Sequence, residues 1–169
     1  NTNSAAELTW GLLLGMLRHI SKAQKYLQEG LWDRHLFSGE ELRGKSIGIV
    51  GLGNVGHRVA KYAIAFGMKV YAYDPYISSD MFIKHGASSC STLEDLVEKV
   101  NVLSLHVPLT GETEGFIDAK VLRKMPKGSY VLNASRGEVV NEQDLSFLLD
   151  EGHIAGAAID TWQGEPKPN

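Results

Sequence analysis

One cysteine in 169 residues, Cys90, excludes an intrachain disulfide framework and makes a cytoplasmic setting the expected one. No basic segment followed by an apolar core and a small-residue cleavage site opens the chain, so no signal peptide is expected. Long hydrophobic runs are also lacking: the apolar stretch from Leu12 to Leu17 is far too short to span a bilayer. Nor is there an excess of one charge. With 17 basic against 20 acidic residues the formal net charge is -3, which argues against nucleic acid or an anionic membrane as a main partner. No low-complexity tract, internal repeat or His/Cys/Asp/Glu cluster with metal-ligand spacing is visible, and no metal is expected.

What is present suits a folded domain, since 43% hydrophobic residues can bury a core in a chain of this size. Ser4-Ala5-Ala6-Glu7 reads as a capping box. Leu8, Leu12, Met16, Ile20 and Leu27 then continue at helical spacing, predicting one long entry helix from Ser4 to about Tyr26, ended by Gly30. Strands are expected at Ser46 to Val50, Lys69 to Tyr73, near Ala87-Ser88, at Val102 to Leu105, Tyr130 to Asn133 and Ala155 to Ile159. Helices alternate with them at Val55 to Phe66, Ser79 to His85, Thr92 to Glu98, Asp118 to Met125 and Glu142 to Asp150. That alternation predicts an α/β, three-layer, doubly wound parallel sheet of Rossmann type, with strand order 3-2-1-4-5-6 and ligands at the carboxyl ends of the strands.

The most informative motif is Gly51-Leu52-Gly53-Asn54-Val55-Gly56 directly after the first strand. In such a turn Gly51 permits the tight reversal, Gly53 lets backbone amides approach a pyrophosphate, and Gly56 lets the next helix pack closely. The helix N-terminus faces the phosphates with free N–H groups. Asp74, at the end of the second strand, can accept hydrogen bonds from both adenosine ribose hydroxyls and would repel a 2′-phosphate, so the expected cofactor is NAD and not NADP. A glycine turn followed by an Asp74-Pro75 turn opener accounts for the same residues without a nucleotide.

The remaining candidates follow the later strands: His106-Val107-Pro108 after the fourth, Asn133-Ala134-Ser135-Arg136-Gly137 after the fifth, Asp160 and Glu165 after the sixth. Arg136 is placed either to grip a carboxylate with its planar fork or simply as a surface arginine. Glu165 either raises the pKa of a neighbouring histidine or sits solvated in a Gly-Glu-Pro turn. Asp160 can cap a helix or bond the carboxamide of a nicotinamide ring.

Taken together and in order, these segments resemble the D-isomer-specific 2-hydroxyacid dehydrogenases over nearly the whole chain. The resemblance implies hydride exchange between NAD and a small 2-oxo or 2-hydroxy acid, with Arg136 holding the substrate and Glu165 pairing with a catalytic histidine. It also implies a cofactor site in which Asn54 and Val55 meet the pyrophosphate and Val107, Thr113, Ala134 and Asp160 line the cleft. His106, Pro108, Asn133, Ser135 and Arg136 border the same cleft, and His106 lines it without transferring the proton. Residues 1–29 would form an interdomain helix that helps build a homodimer. None of the six histidines fills the family's acid/base position, which lies beyond the Glu165-Pro166 turn. The chain opens on Asn1 without methionine, so it is expected to be the cofactor domain of a longer two-domain protein. By itself it should bind NAD weakly and turn over little. Two other readings share these residues: a dehydrogenase-like corepressor that senses NAD, and a nucleotide-binding domain without redox role.

Overall fold

The computed structural model describes residues 1–164. Six strands, β1 (Ser46–Val50), β2 (Lys69–Tyr73), β3 (Ser88–Ser89), β4 (Val102–Leu105), β5 (Ser129–Asn133) and β6 (Ile154–Ile159), form one sheet. Every recorded strand pairing is parallel, in the order β3-β2-β1-β4-β5-β6. The order reverses between β1 and β4, so the loops leaving their carboxyl ends diverge and open a crevice.

Helices cover both faces. On one side α1 (Thr2–Leu17) and α3 (Gly56–Ala65) pack with Phe82 of α4 (Ser79–Lys84) over Ile47, Ile49, Val70, Ala72, Val102 and Leu132. On the other, α5 (Leu93–Val97), α6 (Ala119–Leu122) and α7 (Glu142–Asp150) cover Val50, Leu103, Leu105 and Val131. Adjacent residues of one strand thus feed opposite cores, which is why β1 and β4 are buried throughout and are apolar apart from Ser46 and Ser104. Each fully buried leucine or isoleucine contributes about 1.5–3 kcal/mol.

The loops are closed by short side chains. Thr92 Oγ1 accepts from Asp95 N at 3.0 Å, Asp118 Oδ1 from Val121 N at 3.0 Å, and Asn141 Oδ1 from Asp144 N at 3.1 Å, one cap for each helix of the second face. Most predicted boundaries hold within a residue or two; α6 is shorter than expected, and β3 is shifted to Ser88–Ser89.

The N-terminal segment departs from expectation. It is two helices, α1 and α2 (Ile20–Gln28), broken at His19, whose φ is 55°. At the break the carbonyl of Leu17 accepts from Glu40 N at 3.0 Å, where the returning chain passes α1. The helix also starts earlier, with Asn1 at the cap position, so Ser4 and Glu7 lie inside the first turns and form no capping box. The buried stripe of α1 is Ala6, Thr9, Trp10, Leu13 and Leu17; Leu8 is exposed, and α2 buries no residue at all.

Candidate functional site

Five loops meet at the carboxyl edge of the sheet and enclose two cavities. The smaller, about 330 Å³, is lined by Gly51, Gly53, Asp74, Tyr76, Glu112 and Thr113 among others; the larger, about 550 Å³, by Asn54, Val55, Ala134, Ser135, Arg136 and Asp160. His106, Val107 and Pro108 wall both, so a single ligand with two bulky ends could lie across them.

Between the two stands the glycine turn. Gly51 has φ +87°, and a Cβ there would lie 2.6 Å from the carbonyl oxygen of His106. A Cβ on Gly56 would lie 2.1 Å from the carbonyl oxygen of Gly51, which shows how closely α3 approaches β1. Gly53 is the opposite case: nothing lies within 4 Å of its virtual Cβ, and that space opens on the smaller cavity. The Gly53 carbonyl is engaged by the His57 ring at 2.8 Å and by His57 N at 3.1 Å, and the Asn54 carbonyl by the Arg58 guanidinium. Among the described residues no recorded hydrogen bond takes the N–H groups of Gly53, Asn54 and Val55. The carbonyls of Gly53, Asn54 and Val55 are thus occupied while their N–H groups are left for a ligand, the condition for holding an anion at a helix N-terminus.

Asp74 organises the turn as well as the cavity. Its Oδ2 accepts from Leu52 N at 2.9 Å and its Oδ1 from Tyr76 N at 3.0 Å, leaving each oxygen a further lone pair for a ligand hydroxyl. At the other end, Arg136 is exposed, and its Nη1 donates to the Ser135 carbonyl at 2.6 Å. Asn133 holds this loop from behind: Nδ2 donates to the Arg136 carbonyl at 2.8 Å, and Oδ1 accepts from Ser135 Oγ at 2.8 Å and Ser135 N at 3.1 Å. Asp160 N donates to the Asn133 carbonyl at 2.9 Å, which sets the loop after β6 beside it.

Of the predicted site residues, Gly56 and Asn133 line neither cavity; they build the wall from within, the first by close packing and the second by its buried amide. Thr113 lines the smaller cavity, but its hydroxyl is used in its own loop, donating to the Pro108 carbonyl at 2.6 Å. Glu165 lies outside the described residues. Sequence reasoning missed Asn1, Ser4, Ala5 and Leu8, which α1 brings to the larger cavity, and Tyr76, Glu112 and Phe116 in the smaller. No local signal marks the first group, because their position depends on how α1 crosses the sheet.

Among the described residues, His106 is the one histidine in either cavity wall. Its Nε2 lies 2.8 Å from Ser104 Oγ, and burial pushes its pKa down to about 4. A neutral imidazole with so low a pKa is poorly matched to proton transfer at neutral pH. It also ties stability to pH. The unfolded chain binds this proton near pH 6.5 and the folded chain only near 4, so the contribution is fully present above 6.5 and is lost as pH falls toward 4. The slope is at most about 1.4 kcal/mol per pH unit. Urea midpoints of His106→Asn should therefore fall less steeply than wild type between pH 6.5 and 4; parallel curves would refute the assignment.

The fold and this site define a dinucleotide-binding domain. The chain belongs to the family described as the D-isomer specific 2-hydroxyacid dehydrogenase, NAD binding domain, whose profile matches residues 10–169. It is 39% identical over 166 residues to D-3-phosphoglycerate dehydrogenase of Bacillus subtilis, covering 98% of this chain and 31% of that protein. It is 41% identical over 171 residues to glyoxylate reductase of Thermofilum pendens, covering 99% of this chain and 50% of that protein. Among solved structures, D-lactate dehydrogenase from Aquifex aeolicus, complexed with NAD and lactic acid, superposes with a TM-score of 0.90 at 31% identity, over 98% of this chain and 49% of that one. The chain thus spans about a third to a half of the length of the proteins it matches. No helix among the described residues is long and apolar enough to cross a membrane.

Proposed function

We propose that this chain is the cofactor domain of a two-domain, NAD-dependent D-2-hydroxyacid dehydrogenase. The observation that carries this reading is the row of free N–H groups at Gly53, Asn54 and Val55, set between a cavity ending at Asp74 and a cavity ending at Arg136. NAD fits what is there: the open space at Gly53 suits a pyrophosphate, Asp74 suits two ribose hydroxyls, and Asp160 stands in the larger cavity where a carboxamide would need a partner. The cofactor supplies or accepts the hydride; the chain supplies position and charge. Arg136 holds the carboxylate and carbonyl of a 2-oxo acid, and Glu165 pairs with a histidine outside this chain. The named relatives are dehydrogenases and a reductase, which favours an enzyme over an NAD-sensing corepressor.

A homodimer and a cytoplasmic location belong to the same reading. Ile20, Leu27, Leu31, Leu36 and Trp32, the last 79% exposed, form an apolar arm along α2 and the segment after it, suited to a second copy of this chain. Cys90 is a buried free thiol whose pKa burial pushes up to about 11, an inert group consistent with a reducing compartment.

Titration with NADH and NADPH, read by protein fluorescence, tests the reading. Wild type should saturate with NADH and prefer it. Asp74→Ala should lose about 2 kcal/mol of NADH binding, some thirtyfold, and with it the preference, because hydrogen bonds to a charged acceptor are lost. It should also melt lower, since the buried Leu52 N–H loses its partner. Sedimentation of the same samples should give a dimer. Failure of wild type to saturate with either nucleotide, or an unchanged preference in the variant, would overturn the cofactor assignment.

A further inference from the structure

The smaller cavity is walled on its outer side by two residues from different loops. Tyr76, after β2, donates its hydroxyl to Glu112 Oε2, after β4, at 2.7 Å. Both line the cavity together with Asp74. The Tyr76 N–H donates to Asp74, whose other oxygen takes the Leu52 N–H, so one chain of hydrogen bonds runs from the glycine turn through Asp74 and Tyr76 to Glu112. Tyr76 is 80% exposed, so the contact at its tip, and not burial of its ring, fixes where it stands. Glu112 is carried on a braced turn: Thr113 Oγ1 accepts from Thr110 N at 2.8 Å, and Glu114 N donates to the Thr110 carbonyl at 3.0 Å.

The charge of this wall is one-sided. Among the described residues it contains two carboxylates, Asp74 and Glu112, and no lysine or arginine; its one basic group, His106, is kept neutral by burial. We propose that Tyr76 and Glu112 form a clasp over the adenosine half of the bound dinucleotide, and that Glu112 is a second carboxylate that excludes a 2′-phosphate. This rests on the NAD-binding reading above. A phosphate at the ribose 2′ position brings close to two negative charges, and it would meet two acids without a counter-ion. Asp74 would then recognise the hydroxyl directly, while Glu112 would act at longer range, through its charge.

Two variants separate the parts. Glu112→Gln keeps an oxygen to accept from Tyr76 but removes the charge; Tyr76→Phe keeps the ring but removes the hydrogen bond. In the titrations of wild type with NADH and NADPH, Glu112→Gln should leave NADH affinity within about twofold and raise NADPH affinity by about fivefold at low salt. That gain should shrink in 0.5 M salt, which a purely structural role for Glu112 would not produce. Tyr76→Phe should speed dissociation of NADH by about three- to fivefold, the loss of one hydrogen bond, and leave the NADPH to NADH ratio as in wild type. Saturation of wild type by NADH with both variants indistinguishable from it overturns the clasp alone. No saturation of wild type overturns the dinucleotide reading, and the clasp with it.

Discussion

Gly56→Ala will cost the domain part of its stability, whereas Gly53→Ala, three residues earlier in the same turn, will leave the melting temperature unchanged and remove NADH binding. At Gly56 the added carbon lands 2.1 Å from the carbonyl oxygen of Gly51 and 3.1 Å from Ile49 Cγ2. The first is backbone held at φ +87°, and Ile49 is fully buried, so neither can swing aside. The start of α3 must instead lift off β1, loosening the packing between them. Overpacking of this kind costs about 3 kcal/mol, out of a total of about 5–15 kcal/mol for a domain. For a chain of this size that is a fall of about 10 °C in Tm. At Gly53 no protein atom lies within 4 Å and φ is not in the left-handed region, so alanine meets nothing in the folded chain. Its methyl group would occupy the space a pyrophosphate needs. Thermal melts and NADH titrations of both variants check the pair. A Gly56→Ala protein that melts with wild type, or a Gly53→Ala protein that binds NADH normally, would show that the glycines do not divide the work in this way.

The same turn shows why so much was legible in the sequence. Ile47, Ile49 and Val50 serve two cores, so β1 had to be largely apolar, and Gly51 and Gly56 stand where close backbone approach admits no other residue. Strand ends, and with them Asp74, Arg136 and Asp160, follow from that pattern because a parallel sheet delivers all its carboxyl ends to one edge. What was not legible depends on contacts distant in sequence. The helical spacing at Leu8, Leu12, Met16 and Ile20 is real, but the helix breaks at His19, beside the point where the chain returning at Glu40 bonds to the Leu17 carbonyl. Asn133 ends a strand at the cleft but lines neither of its two cavities, because its amide is bonded to the Arg136 carbonyl and the Ser135 hydroxyl. Glu112 gave no signal, since its partner Tyr76 is 36 residues away on another loop.

Arg136 carries the largest expected effect on activity. Its loop is fixed from three directions: Asn133 ties both Ser135 and the Arg136 carbonyl, and Gly137 packs so closely on the loop after β6 that a Cβ there would lie 2.1 Å from the Trp162 carbonyl carbon. One terminal nitrogen of the guanidinium is anchored to the Ser135 carbonyl, and the side chain lines the larger cavity with Asp160. A guanidinium can keep that anchor and still present further N–H groups to a carboxylate and an adjacent carbonyl; an ammonium is a point charge and cannot do both. On the proposed function, charge gathering on the substrate oxygen during reduction is stabilised here, and losing such a donor costs about 3–4 kcal/mol in the transition state. In the intact two-domain protein, Arg136→Ala should therefore lower kcat/KM for a 2-oxo acid by about 10²–10³-fold, and Arg136→Lys by at least about tenfold. NADH affinity should change little in either variant, because Arg136 lines the larger cavity and not the smaller one that holds Gly53 and Asp74. An Arg136→Ala protein that loses NADH binding in proportion to its activity would make the arginine part of the cofactor wall, and the grip on the substrate carboxylate would have to be sought elsewhere.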